Sequence, residues 1–229
     1  MIKKLLVIFS LIFFVPFIVN AEELKLESIH QHEGNTLATD FNTLYYENGD
    51  YIVSFYAVGN TLDELILNGD RDAILYKYNK DGNLLWKTNW GGSNIDLFYS
   101  AITIDDGGLI AVGQTRSIDV KDLVSNGSDD GSIVRYDKDG NIVWQKSWGG
   151  SDSDYFRKIV KTSDNNYIIF GTTSSTDIEG CINNGSADLI ILKINLNGDI
   201  LWKKNFGGSK NEGTIDLFSS NDGGGFIFF

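Results

Sequence analysis

The chain is nearly without the residues that staple, kink or coordinate. It holds one Cys, one Pro, one Met and two His in 229 residues. Cys181 has no second cysteine to pair with, so no internal disulfide supports the fold. No base accompanies it in the sequence, and it is read as a loop residue, not a nucleophile. His30 and His32 share one face of a strand, but no third ligand accompanies them, and they are read as surface residues. Cationic residues are scarce too: 19 Lys and Arg stand against 31 Asp and Glu, a formal net charge of -12. A surface this acidic argues against nucleic acid and anionic membrane as partners. Past the N-terminus no stretch sustains a helical period.

Long apolar runs are absent apart from one, at residues 5–19, interrupted by Ser10 and Pro16 and preceded by Lys3 and Lys4. Its 15 residues fall short of the ~20 that a membrane span needs. With small Val19 and Ala21 flanking Asn20, it reads as a signal peptide over residues 1–21, cleaved after Ala21; an uncleaved anchor is the alternative. The mature chain then holds 17 basic and 31 acidic residues and inserts in no membrane. No Cys follows the leader to carry a lipid.

What the chain does have is aromatic residues, 13%, and 25 Gly, a globular and turn-rich composition. It also has a repeat. DAILYKYNKDGNLLWKTNWGG at 72–92 returns as DGSIVRYDKDGNIVWQKSWGG at 130–150 and as DLIILKINLNGDILWKKNFGG at 188–208. Trp86, Trp144 and Trp202 step by 58 residues. Residues 24–60 carry an eroded copy, in which Gly34, Gly49 and Ile52 fall on Gly92, Gly107 and Ile110, and Asn68, just past it, falls on Asn126. Glu33 stands there for Gly91 and Ser28 for Trp86, as befits a terminal repeat.

Each full unit holds four strand-like runs, termed a to d. In the first full unit they cover 74–78, 84–90, 97–104 and 109–113. Asp81-Gly82, Asp139-Gly140 and Asn197-Gly198 close a onto b; Asp106-Gly107-Gly108 and its copies close c onto d. The b–c connection and the long d–a loop, 116–129 and 174–187, gather at the opposite end. Four antiparallel strands repeated at this step predict an all-β fold, a β-propeller of four-stranded blades. About four blades span 22–229, the first degenerate. The count reaches 15 strands and leaves the first blade without run a, so the C-terminus is expected to be truncated, with further sequence or domains beyond Phe229. The apolar Leu84-Leu85-Trp86 and its copies lack alternation, which predicts burial on both faces, with the Trp packed between blades.

Asp106-Gly107-Gly108-Leu109-Ile110-Ala111-Val112-Gly113-Gln114-Thr115, then Arg135-Tyr136-Asp137-Lys138-Asp139-Gly140-Asn141-Ile142-Val143-Trp144, resemble a repeat family of exported bacterial β-propellers. Gly171-Thr172-Thr173-Ser174-Ser175 continues the likeness in the next copy. The resemblance covers nearly all of the mature chain. It implies a secreted or surface-attached propeller, often one module of a larger protein, and no enzyme. The Gly-Asn-x-x-Trp core is also similar to the tryptophan-docking repeat of quinoprotein propellers, but a single Cys excludes the vicinal disulfide common there. The sialidase Asp-box is a near miss: Gly140 falls one place early and the Ser is missing.

The acidic loops offer oxygens for Ca²⁺: Asp119, Asp122, Asp129 and Asp130; Asp63, Glu64, Asp70 and Asp72; Asp177, Glu179 and Asp188. Their spacing matches no calcium loop, and the solvated reading is preferred. Asn68-Gly69, Asn126-Gly127 and Asn184-Gly185, each followed by Asp72, Asp130 or Asp188, predict turns whose Asp accepts backbone amides. Lys77, Arg135 and Lys193 are expected to pair with that repeated Asp. Ser93, Ser151 and Ser209 follow Gly-Gly without a nucleophile elbow. No catalytic, cofactor-binding or metal-ligating residue is assigned, and no cofactor is expected.

The function expected is that of an exported, non-catalytic propeller at the cell surface or in the secreted fraction. It would bind a protein or glycan through residues 92–96, 116–129, 150–154 and 174–187. The alternatives are a carbohydrate-active or quinoprotein-like enzyme whose catalytic loops lie in missing blades, and a structural spacer.

Overall fold

The computed structural model describes residues 37–45, 49–58, 61–62, 64–212, 216–219 and 225–228. The leader, its cleavage site and the histidine pair lie outside them. Every regular element described is a strand.

Three four-stranded antiparallel sheets follow one another along the chain. The first comprises β1 (Leu37–Tyr45), β2 (Tyr51–Val58), β5 (Asp72–Tyr78) and β6 (Leu84–Trp90). Its β2–β5 connection carries a small ladder of β3 (Thr61–Leu62) with β4 (Leu65–Ile66). The second comprises β7 (Asp96–Thr103), β8 (Leu109–Thr115), β9 (Asp130–Tyr136) and β10 (Ile142–Trp148). The third comprises β11 (Asp154–Lys161), β12 (Tyr167–Thr173), β13 (Asp188–Ile194) and β14 (Ile200–Phe206). A hairpin of β15 (Asp216–Ser219) and β16 (Gly225–Phe228) comes last.

A sheet therefore runs c, d, a, b. It begins after the Gly-Gly pair, and the long d–a loop lies inside it. This corrects the expected strand accounting: the first sheet is complete, with β5 supplying run a. The b–c connection passes from one sheet to the next. The turns form as their residues dictate. Gly82, Gly140 and Gly198 take positive φ between a and b, and Gly49, Gly107 and Asn165 take it between c and d.

Run a of each sheet and run d of the second and third sheets are buried on both faces, whereas run d of the first, β2, mixes buried with half-buried residues. Run b is not buried on both faces, contrary to expectation. Leu85 and Leu201 are half exposed, as is Val143. Run b is an edge strand, and its pairing with run a slips at Leu85, Val143 and Leu201. A β-bulge, not double burial, breaks the alternation.

Two of the hydrophobic cores lie between successive sheets. Leu75 and Trp90 of the first meet Phe98, Leu109, Val134 and Tyr136 of the second. Val112 and Trp148 of the second meet Phe156, Ile169, Ile190 and Leu192 of the third. The aromatics closing run b of the first two sheets pack between sheets: Trp90 stacks on Phe98 with ring centres 5.1 Å apart, and Trp148 lies on Phe156 at 5.8 Å, whereas Phe206, closing run b of the third, is half exposed. Trp86 and Trp144 lie shallower. Each donates its indole N–H across to the a–b turn of the next sheet, to Lys138 O at 3.0 Å and Leu196 O at 3.2 Å. First strands also meet: β11 packs against β7 and β15, and β1 against β7.

Candidate functional site

The loop end of the sheets is stitched by a repeated carboxylate network. Asp96 opens β7 and accepts from Gly92 N (2.8 Å), Thr115 Oγ1 (2.6 Å) and Ser117 Oγ (2.6 Å). Ser117 in turn accepts from Asn94 N, and Asp119 from Ser93 N. One repeat on, Asp154 accepts from Gly150 N and Ser175 Oγ, Ser175 from Asp152 N, and Asp177 from Ser151 N. The long loop is thereby fastened to the inter-sheet connector. The Gly-Gly pair exists for this packing. A Cβ on Gly149 would stand 2.2 Å from Asp130 Oδ1 and 2.7 Å from Asp154 Oδ2, and one on Gly150 would stand 2.2 Å from Asp177 Oδ1.

Burial raises Asp96 and Asp154 above the usual carboxylate range; their hydrogen bonds oppose the shift, and the charges of Asp72 and Asp130 add to it. Asp119 and Asp177 are exposed and held low by the Ser93 and Ser151 N–H groups. Asp72, Asp130 and Asp188 accept from the backbone N–H of Asn68, Asn126 and Asn184, the turn that the Asn-Gly spacing implies.

The acidic residues considered for calcium do not converge. Asp129 takes a two-point ion pair from Arg116, at 2.8 and 2.9 Å. Asp119 and Asp130 hold backbone amides as described, and Asp122 faces solvent. Among the described residues no three His, Cys, Asp or Glu side chains are placed to hold one metal ion. Asp63 lies outside them. Lys77, Arg135 and Lys193 pair with a different repeated aspartate from the one expected. Their partners are Asp50, Asp106 and Asp164 in the c–d turn, at 4.0, 2.7 and 2.6 Å. In a four-strand meander run a lies beside run d, so its mid-strand cation reaches the turn that opens run d.

Ser93 and Ser151 are exposed connector residues. Cys181 packs partly buried against the core between the second and third sheets, where burial raises its thiol and leaves it unactivated. An open cleft of about 460 Å³ runs beside Trp90 and Val120, but Trp90 and the Lys121 carbonyl within it are both bonded to Gln145.

What remains on the loop end is a cluster that the sequence did not single out. The pairing of β7 with β8 slips at Tyr99, and that of β11 with β12 slips at Arg157, one repeat later. A bulge re-aims the side chain it carries. The exposed Arg157 guanidinium lies 4.4 Å from the Tyr99 ring centre and 4.7 Å from that of Tyr155. The two rings meet edge-on, 6.4 Å apart. Among the described residues no carboxylate pairs with Arg157. A polar band continues from this group. Tyr99 Oη donates to Gln114 Oε1 (2.8 Å), and Gln114 Nε2 and Ser153 Oγ donate to Asp129 (3.1 Å each). The Ser128 and Ser153 hydroxyls stand 3.0 Å apart. The one available sequence signal was the exchange of Tyr for Arg at a shared repeat position, which carries no message until the strands are placed side by side.

Comparison of the chain with protein-family models gives no match, and comparison with curated proteins gives no significant relative.

Proposed function

We propose that the chain is a β-propeller that is exported and serves, without catalysis, as an interaction module of the cell surface or secreted fraction. Two features support the propeller. Identical c-d-a-b meanders stack face to face, and their first strands pack in series, as strands around a common axis must. The observation that carries the binding role is the Tyr99–Arg157–Tyr155 cluster. It is a preorganised aromatic and cationic surface at the loop end, where the neighbouring connectors are consumed by seam bonds. Labelled protein applied to a glycan array and to extracellular fractions tests the reading. Saturable binding lost on replacing Tyr155 and Arg157 is expected; absence of any binding partner favours a spacer.

A carbohydrate-active enzyme is the second reading, favoured by one arrangement. Asp129 is buried beside Arg116 and reaches Tyr99 through Gln114, so a carboxylate, an Arg and a Tyr share one region. Turnover of a glycan by the wild type, abolished in Asp129→Asn, would replace the module reading.

A further inference from the structure

We infer that Arg157, Tyr99 and Tyr155 form a seat for a sugar acid, with Arg157 taking its carboxylate. The inference rests on the binding-module reading and names the ligand class for that surface. The chain carries a net charge of -12, and each of its other three arginines is held within the protein. Arg116 is paired to Asp129, Arg135 to Asp106, and Arg71 lies over the Tyr56 ring. Arg157 alone lies over two rings with no anion paired to it among the described residues. The N–H donors on the side of the guanidinium turned away from the rings can grip a planar carboxylate at two points. The rings fix the fork before the ligand arrives, so little side-chain freedom is lost on binding.

The ligand's other chemistry follows from the surroundings. A saccharide offers C–H faces to the tyrosine rings and hydroxyls to the band formed by Gln114, Ser128 and Ser153. An acidic peptide presents several charges and meets the repulsion of the whole acidic surface; one terminal sugar acid presents a single charge to a single arginine.

The test is calorimetric titration of the full chain with a trisaccharide ending in glucuronic acid. Its carboxyl-reduced form and an analogue bearing sulfate in place of the carboxylate serve as comparisons. The acid form is expected to bind about tenfold or more tighter than the reduced form. Arg157→Gln should erase that difference, and Arg157→Lys should restore only part of it. An unchanged thermal midpoint shows that these variants fold. Equal binding of acid and reduced forms, equal binding of the sulfated analogue, or full acid preference in Arg157→Gln overturns the inference. If all three probes fail but a neutral glycan or a protein binds, the sugar-acid assignment falls and the module reading stands. If nothing binds on the array or from extracellular fractions, both fall.

Discussion

Trp86 lies over Gly140 of the next sheet so closely that a Cβ there would stand 2.8 Å from its Cδ2. Trp144 covers Gly198 in the same way, its Cη2 at 2.8 Å. The indole of one sheet thus closes the hairpin turn of the next, and the turn glycine is fixed twice, by its φ and by its roof.

Gly140→Ala separates those two demands when set against Gly82→Ala. Both positions have positive φ, but a Cβ at Gly82 meets nothing nearer than Tyr51 Oη at 3.9 Å. Gly82→Ala should cost about 1 kcal/mol from backbone strain alone. Gly140→Ala adds overpacking and should cost about 2–4 kcal/mol. Urea unfolding of the two variants measures the difference, and equal costs would show that the indole gives way freely.

Trp90 and Leu85 stand on the same strand with opposite fates. Trp90 is 3% exposed and Leu85 50%. Trp90→Ala should destabilise by about 3–5 kcal/mol, whereas Leu85→Ala should cost less than about 1 kcal/mol. The same denaturation series checks both, and a large loss for Leu85→Ala would mean that run b is covered on both faces after all.

Acid and base act on two opposed sets of aspartates. Asp154 is raised by burial, so its folded pKa exceeds its unfolded one. Its contribution is full below the ordinary Asp value, about 3.9, and is lost as pH rises through the raised value. Asp154→Asn should therefore gain stability relative to wild type as pH climbs past 4, then level off. Asp164 is lowered by Lys193 and Thr162, so its contribution is present above its ordinary pKa and fades as pH falls toward its depressed folded value. Asp164→Asn should flatten that acid-side decline. Unfolding free energies measured from pH 3 to 7 distinguish the two slopes.

Cys181 should react slowly with a thiol reagent at pH 8 in the folded protein and at least about tenfold faster in denaturant. Its partial burial holds the thiol above the usual range. A native rate equal to the denatured one would place it on an open loop.

The turns, the strand runs and the Asn-Gly caps on Asp72, Asp130 and Asp188 were legible because each rests on contacts within a few residues. The partners of Arg135 and Lys193 were misjudged because each lies 29 residues away, across the d–a pairing. The Tyr99–Arg157 contact was invisible because it joins two strands a full repeat apart, each carrying its residue on a bulge.

By itself the sequence determined an all-β chain, its 58-residue period and the chemistry of its tight turns, since φ preference and side-chain capping act locally. Only the tertiary structure decided where one sheet stops and the next begins. It made Gly-Gly a seam where buried carboxylates leave no room for a Cβ, and it set Arg157 between two tyrosines. Those outcomes depend on which strands lie face to face, and that is settled by packing between segments distant in the chain.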